Sequence, residues 1–419
     1  MTSVKAPEKV LVFGDDMRIF LAVARSLGRA GKEVHAAPFN WHAPALKSKY
    51  ISAVHHFPRY SDDSIAWRDA VLAILHTHGF DLIIACCDDR TILPFHVHRE
   101  DFAEFPIAIP HAEAIGLLFD KEQTRNMCLD LGIPVAEGAR LKESDTANEL
   151  SQRFGMPLVL KPRKSYSLGR LDTWGKVWIV ETVPELSTHL RSVRDPSRYL
   201  VESCFKGVGV GVSVLAQNGK VLHAFQHRRL REGRGGSSSY RISEPVADHF
   251  SVACEKICEF TRLTGICMFE FRDNRSTGEW ILLETNARFW GSCPLPIAVG
   301  IDFPRYLYDL LVHNIQHAPM TYPPGVRSRN VVLDGLNLWN TVPSLRSGQI
   351  GAWLDDVRDF LGQPFRWVTG DELSDGFVKG DLGPGLWEFV SVLQSVCLKL
   401  TRKRMGERKR RRREQVVEA

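Results

Sequence analysis

Two short apolar segments near residue 275 constrain the fold of this chain more than any other feature. Cys267–Arg272 and Glu279–Glu284 are rich in strand-forming residues, and a polar, turn-rich stretch separates them, which predicts a β-hairpin. Alternation puts Glu270 on the face opposite its two phenylalanine neighbours, and Glu284 ends the second strand. Both carboxylates therefore emerge on one side of the hairpin, where two facing acids need a cation.

The second strand continues into a polar segment with a two-residue period. Asn286 and Arg288 follow Glu284 in steps of two, so in an extended chain they point to the same side. Two carboxylates and an amide oxygen form an all-oxygen ligand set that suits Mg²⁺ or Mn²⁺. A guanidinium beside that metal would meet phosphoryl oxygens. The hairpin thus predicts a site for a metal-bound nucleoside triphosphate.

This pattern resembles the closing signature of the ATP-grasp superfamily, an acidic residue on one strand followed by Glu-x-Asn-x-Arg at the end of the next. The resemblance covers roughly residues 8–312. It implies an ATP-grasp fold with ATP and Mg²⁺ (or Mn²⁺) as cofactors. It also implies that Glu270, Glu284 and Asn286 are metal ligands and that Arg288 is a catalytic residue.

Further landmarks follow in the order that the resemblance implies. Lys121 opens a predicted helix after Asp120, and Lys161 ends an apolar strand; both resemble phosphate-contacting lysines of the superfamily. The polar segment between Pro162 and Gly175 stands where the superfamily carries a loop over the phosphates, with one glycine where several are common. For Lys161 and Glu202 the alternative interpretation is an ordinary solvated strand end. The implied nucleotide-binding residues are Lys121, Lys161, Ser165, Ser167, Glu202 and Phe205.

A basic strand at residues 226–231 precedes a Gly-Ser turn and predicts a binding site for an acid. Carboxylate-amine ligases of the superfamily carry a similar stretch here, which implies a catalytic Arg229. The alternative is an exposed basic hairpin. The implied substrate-binding residues are Arg228, Arg231, Gly236, Ser237 and Ser238.

The first hundred residues alternate short apolar runs with amphipathic stretches, which is typical of a parallel α/β sheet. The first strand is followed by two acidic residues and not by a GxGxxG turn, which disfavours a dinucleotide site. We therefore expect an α/β and α+β multidomain protein. The predicted parts are an N-terminal α/β domain (1–110), an ATP-grasp core (111–315), a small C-terminal unit (316–383) and an amphipathic helix with a basic tail (384–419).

Composition and charge exclude several classes of protein. No window has the ~18–20 apolar residues of a membrane span, and the N-terminal apolar run is too short for a secretion signal, so we expect a cytoplasmic protein. The net charge is +5, but residues 399–419 alone carry +7, so no specific nucleic-acid partner is expected. The nine cysteines lack zinc-site or disulfide spacing.

The apolar stripe that begins at Leu386 runs into the basic tail and has two interpretations. It either contacts an anionic membrane through residues 384–413, which would place the protein peripherally on the inner membrane face, or packs on the protein body.

The function expected from the resemblance is an ADP-forming, ATP-dependent carboxylate-amine (or thiol) ligase. It would activate a small carboxylic or amino acid as an acyl phosphate. One alternative is an ATP-dependent carboxylase or another acyl-phosphate former. The other is a weakly catalytic ATP-binding protein tethered to a membrane surface or an assembly by its tail.

Overall fold

The computed structural model describes residues 7–166, 171, 175–233, 238–342 and 347–395, which form three β-sheets with helices packed against them. In chain order the strands are β1 (Lys9–Phe13), β2 (Glu33–Ala37), β3 (Ile51–Val54), β4 (Leu82–Ala85), β5 (Ile107–Ala108), β6 (Gly138–Arg140), β7 (Leu158–Pro162), β8 (Trp178–Val180), β9 (Tyr199–Ser203), β10 (Val208–Gln217), β11 (Lys220–Glu232), β12 (Ser238–Glu244), β13 (Gly265–Asn274), β14 (Glu279–Asn286), β15 (Arg327–Arg329) and β16 (Glu372–Ser374). The helices are α1 (Ile19–Arg29), α2 (Ser64–His78), α3 (Asp89–Val97), α4 (Ala112–Leu118), α5 (Lys121–Asp130), α6 (Ala147–Phe154), α7 (Val183–Ser192), α8 (Asp248–Phe260), α9 (Pro294–Ala298), α10 (Phe303–His313), α11 (Val331–Thr341), α12 (Ile350–Leu361) and α13 (Gln363–Thr369). Residues 383–395 are also helical and are called the terminal helix below.

The N-terminal sheet is parallel throughout, with the strand order β3-β2-β1-β4-β5. Its central strands β1 and β4 are almost fully buried, which explains why both appear in the sequence as continuous apolar runs. Helix α1 lies between this sheet and the next, since Phe20 and Leu27 share one core with Phe225 and Trp290. The predicted parallel α/β sheet is confirmed, and its boundary at residue 110 stays a prediction.

The second sheet has seven strands in the order β14-β13-β10-β11-β12-β15-β16. On one face Val212 and Phe269 pack with Phe250 of α8, which forms a separate apolar core. The β13–β14 hairpin pairs Glu270 with Glu284, and a register shift follows Glu270. Both carboxylates therefore leave the sheet at the same level.

The third sheet is antiparallel and has the order β6-β9-β7-β8. Leu160 and Val201 face α6 and α7 and are buried with Leu150 and Leu186. Because side chains alternate along a strand, their neighbours on β7 and β9 face the opposite side. This opposite face carries the polar residues of the site described below.

The C-terminal residues complete the large sheet. Strand β15 pairs with β12 and β16 pairs with β15, although each has only three residues. Buried ion pairs secure this extension: Arg241 Nη2 lies 2.5 Å from Asp375 Oδ1, and Arg25 Nε of α1 lies 2.7 Å from Asp381 Oδ2. The division at residue 315 stays a prediction, but residues 327–381 are joined to both preceding parts.

The terminal helix carries the first part of the predicted apolar stripe. Leu386, Phe389, Val390 and Leu393 are exposed at helical spacing. The rest of the stripe and the basic tail lie outside the described residues. Within the described ranges, no helix has the length and apolarity to cross a membrane. Contact of this stripe with a membrane surface stays a prediction.

Replacing Glu388 of the terminal helix by glutamine should stabilise the protein above pH 7. Burial raises the pKa of Glu388 from 4.5 to about 7, and the negative charges of Asp16 and Asp375 add to the increase. The folded state therefore holds this proton more tightly than the unfolded state, so wild-type stability falls as the pH rises from 4.5 to 7. We expect a gain of roughly 1–3 kcal/mol for Glu388→Gln at pH 8.

The measurement is the melting temperature of both proteins at pH 5 and pH 8, where the difference should appear mainly at pH 8. Glu143→Gln, which changes an exposed glutamate, serves as the control. Equal melting temperatures at pH 8 would contradict the prediction.

Candidate active site

Four of the predicted residues form one hydrogen-bonded network around the hairpin. Asn286 Nδ2 donates to Glu270 Oε1 at 3.1 Å, and Arg288 Nη2 donates to Asn286 Oδ1 at 2.7 Å. Arg229 of β11 donates from Nη2 to Glu270 Oε2 at 2.5 Å. Glu284 lies directly across the ladder from Glu270. Two carboxylates, an amide and two guanidinium groups thus lie close together.

Lys121 joins this cluster from α5. The Asp120 carboxylate caps the helix by accepting from the backbone N–H of Glu122 at 3.0 Å, which fixes Lys121 in the first turn. The Lys121 Nζ lies 3.0 Å from Glu284 Oε1 and donates to Ser165 Oγ at 2.9 Å. The ammonium group therefore connects the hairpin to the segment that follows β7.

Lys161 and Glu202 form a second ion pair on the open face of the four-stranded sheet. Their side chains come from β7 and β9, and Lys161 Nζ lies 2.7 Å from Glu202 Oε2. Both residues are buried, at 9% and 6% exposure. Burying an ion pair costs desolvation energy that the pair only partly recovers, so such a pair is weak evidence for a purely stabilising role. Phe205 follows in the link to β10 and is half-buried.

Charge interactions favour the ionised forms of two residues of the cluster. Burial raises the pKa of Glu284, but the positive charge of Lys121 and its hydrogen bond outweigh this effect and leave the pKa below its ordinary value. Burial lowers the pKa of Arg288, whereas the carboxylate of Asp89 raises it above its ordinary value. Burial in turn raises the pKa of Asp89, and the positive charge of Arg288 opposes that increase.

A cavity of about 230 Å³ lies against this cluster and is called the site cavity below. The hairpin and β11 form one wall, and loops that follow β1 and β4 of the N-terminal sheet form another. The residues that line it include Arg18, Asp88, Tyr166, His227, Arg229, Ser238, Glu270, Glu284, Asn286, Arg288 and Gly291.

Several solved structures resemble this arrangement of sheets. The biotin carboxylase domain of Hydrogenobacter thermophilus 2-oxoglutarate carboxylase, in complex with MgADP, ADP and bicarbonate, matches with a TM-score of 0.59 at 15% identity, covering 76% of this chain and 73% of that one. N5-carboxyaminoimidazole synthetase from Staphylococcus aureus, complexed with ADP, matches with a TM-score of 0.57 at 16% identity, over 75% and 80% of the two chains. The chain has the ATP-grasp fold.

A third structure with this fold is the L-amino acid ligase from Bacillus licheniformis, which matches with a TM-score of 0.54 at 16% identity over 74% of this chain and 75% of that one. No protein-family model matches the sequence. The fold class expected from the hairpin is therefore confirmed. At sequence identities this low, the similarity shows the fold alone.

The ATP-grasp core receives contributions from the N-terminal domain that the sequence did not reveal. Asp89 Oδ1 accepts from Arg288 Nε at 3.3 Å, and Asp88 lines the site cavity one residue earlier. Arg18 approaches from the loop after β1, and a Cβ on Gly291 would lie only 2.9 Å from its Nη1. The sequence signal that could have identified Asp88 and Asp89 is their position shortly after β4, since binding residues often follow the carboxyl ends of parallel strands.

Some predicted substrate residues lie away from the site cavity of the ATP-grasp core. Arg228 points to the opposite face of β11 from Arg229 and pairs with Glu244 at 2.6 Å. Arg231 follows a register shift and pairs with Asp334 and with Asp356, the latter at 2.7 Å. Ser238 lines the cavity, whereas Ser167, Gly236 and Ser237 lie outside the described residues.

The donor set of the core fits a metal that is shared with a nucleotide. In the part of the chain that the structure describes, no three His, Cys, Asp or Glu side chains are grouped to hold a metal by themselves, and the eight cysteines there are free thiols. Mg²⁺ usually binds one or two carboxylates and completes its shell with phosphate oxygens and water. Glu270 and Glu284 match that incomplete set, whereas Asn286 turns its amide nitrogen toward Glu270 and its oxygen accepts from Arg288.

Proposed function

We propose that this chain is an ATP-dependent ligase that activates a small carboxylic or amino acid as an acyl phosphate and transfers the acyl group to an amine or thiol. The observation that carries the proposal is the cluster in which Glu270 and Glu284 face Lys121, Arg229 and Arg288 beside one cavity. Such a set of fixed charges can bind phosphates and a metal before any reaction begins.

In this proposal the cations bind the nucleotide. Lys121, Lys161 and Arg288 contact phosphoryl oxygens, while Glu202 and Phe205 lie toward the adenosine. Each cation already has a carboxylate, amide or hydroxyl partner, so the side chains are held in position before ATP arrives. Glu270, Glu284 and Asn286 would hold Mg²⁺, which neutralises phosphate charge when bound.

The chemistry requires no nucleophilic side chain. An oxygen of the acid attacks the γ-phosphorus of ATP, the bond to ADP breaks, and an acyl phosphate forms. The amine then attacks the carbonyl carbon, phosphate leaves, and the amine loses a proton. Arg229 and Ser238 are placed to neutralise and orient the acid, and positioning of the reactants supplies much of the rate enhancement.

The proposal is tested by ADP and phosphate release from purified protein with Mg-ATP and a panel of acids, with hydroxylamine present. We expect a hydroxamate with at least one acid, because hydroxylamine intercepts acyl phosphates. Bicarbonate belongs in the panel, since ADP release with bicarbonate alone would favour the carboxylase alternative.

Two outcomes separate the alternatives. ADP release that depends on an acid, together with a hydroxamate of the same acid, supports the ligase. ATP binding without ADP release for any acid would contradict it and favour the weakly catalytic ATP-binding protein. The Glu284 variant discussed below shows whether the release depends on this site.

A further inference from the structure

We propose that a second cavity in the N-terminal domain binds the side chain of the substrate, and that this side chain is an uncharged aromatic or bulky apolar group. This inference rests on the proposed function and names the class of its substrate. The cavity, called the aromatic cavity below, has a volume of about 220 Å³. Its principal lining residues are Phe13, Phe39, Phe57, Tyr60, Trp67 and Arg90.

The size and lining of the aromatic cavity suit a ring. Phe13 ends β1 and stacks on Phe57 at 5.5 Å between ring centroids, and Tyr60 meets Trp67 edge-on at 5.3 Å. These rings present faces and edges to which a further ring can pack. A cavity of about 150 Å³ with an apolar lining already holds benzene, so the larger volume here accommodates a phenyl or indole group.

The first turn of α3 joins the aromatic cavity to the site cavity. Asp88 lines the site cavity and holds Arg90 by hydrogen bonds of 2.7 to 3.0 Å, and Arg90 lines the aromatic cavity. Tyr166, from the segment after β7, donates to Asp88 Oδ2 at 3.3 Å and also lines the site cavity. The ion pair between Asp88 and Arg90 therefore separates the two cavities, and the proposal requires the side chain of the substrate to extend past it.

Arginine side chains at this junction favour contact with a ring. Asp88 pairs with Arg90, whose guanidinium lies 4.9 Å from the Phe39 ring centroid and 5.5 Å from that of Tyr166. Arg59 adds a second guanidinium to the lining of the aromatic cavity. Guanidinium groups pack favourably on aromatic faces, so both arginines can contact a bound ring.

An exposed aromatic residue at the rim of the aromatic cavity also supports binding of a ring. Phe39 is 46% exposed although it borders an apolar cavity. A bound ring would cover that exposed face, and removal of apolar surface from water is favourable by roughly 25 cal/mol per Å². Binding of a ring would therefore bury apolar surface of Phe39 that is now exposed to water.

The test compares acids as substrates in the ADP-release assay. We expect kcat/KM for phenylalanine or tryptophan to exceed that for alanine by about 10-fold or more. Ser61→Phe, at an exposed position on the cavity lining, should fill the cavity. It should raise KM for the aromatic acid about 10-fold, with KM for ATP and the melting temperature unchanged.

Phe39→Ala should also raise KM for the aromatic acid. Trp41→Ala is the matched control, because Trp41 is 58% exposed, contacts the His56 ring and is not among the residues that line the cavity. A preference for alanine, or unchanged KM in both Ser61→Phe and Phe39→Ala, would overturn the inference and leave the ligase proposal standing.

If no acid supports ADP release, the ligase proposal fails, and a binding measurement then tests the inference separately. The binding of indole-3-acetate to the full chain is measured by ligand-observed NMR. Binding that Ser61→Phe abolishes and Trp41→Ala preserves would support the aromatic cavity as a ligand site. Absence of binding to the wild type, or equal binding to all three proteins, would overturn it.

Discussion

Glu284→Gln is expected to lower ATP turnover by at least about 100-fold while the protein remains folded. The substitution keeps the size of the side chain but removes the negative charge that pairs with Lys121 and that, in the proposed function, helps to hold Mg²⁺. Glu284 lies at the end of β14, where its side chain is 33% exposed, so the fold should tolerate the change. The measurement is ADP release in saturating Mg-ATP, alongside circular dichroism and the melting temperature.

Glu279→Gln is the matched control because Glu279 starts the same strand and is exposed at the far end of the hairpin. It should retain wild-type turnover. If Glu284→Gln keeps wild-type turnover as well, the assignment of the hairpin to catalysis is wrong. If Glu284→Gln unfolds, Asn286→Asp, which adds a charge at the neighbouring position, provides the second test through an altered dependence of turnover on Mg²⁺ concentration.

Asp375→Ala should destabilise the protein by about 3–5 kcal/mol. Asp375 follows β16, and its carboxylate pairs with Arg241 and accepts from Ser328 Oγ at 2.7 Å. The side chains of Asp375 and Arg241 are both fully buried, so alanine would leave an uncompensated guanidinium in the interior. Urea denaturation followed by intrinsic fluorescence measures the loss.

Two further variants separate charge from packing. Asp371→Ala removes an exposed carboxylate four residues earlier and should change stability by less than about 0.5 kcal/mol. The double variant Arg241→Met/Asp375→Leu should be more stable than Asp375→Ala, because replacing both buried charges by apolar groups avoids the unpaired ion. A double variant less stable than Asp375→Ala would contradict this explanation.

The part of the site that the sequence predicts lies on one local element. Glu270, Glu284, Asn286 and Arg288 belong to a single hairpin, whose alternation fixes which side chains share a face. Lys121 could also be predicted from the sequence, because the capped start of a helix is a local signal. Their roles in binding metal and nucleotide stay predictions, whereas their proximity is a property of the fold.

The remaining parts depend on tertiary contacts that carry no local signal. Asp89 reaches Arg288 across nearly 200 positions of sequence, and only the packing of the N-terminal domain brings them together. Arg231 was predicted to bind the substrate, but a register shift between Arg229 and Arg231 precedes it, and its side chain pairs with Asp334. Strands β15 and β16 are too short for a periodic pattern and exist because β12 offers a partner.

The late completion of the large sheet has a consequence for biosynthesis. Strand β12 can pair with β11 on one side once both have emerged from the ribosome, yet its other edge waits for β15, which begins at Arg327, and the outer edge of β15 then waits for β16. An open strand edge is a template for pairing with other chains. During this interval the nascent chain exposes such an edge beside a nearly finished ATP-grasp core, and chaperones that shield strand edges would have their greatest effect at this stage of translation.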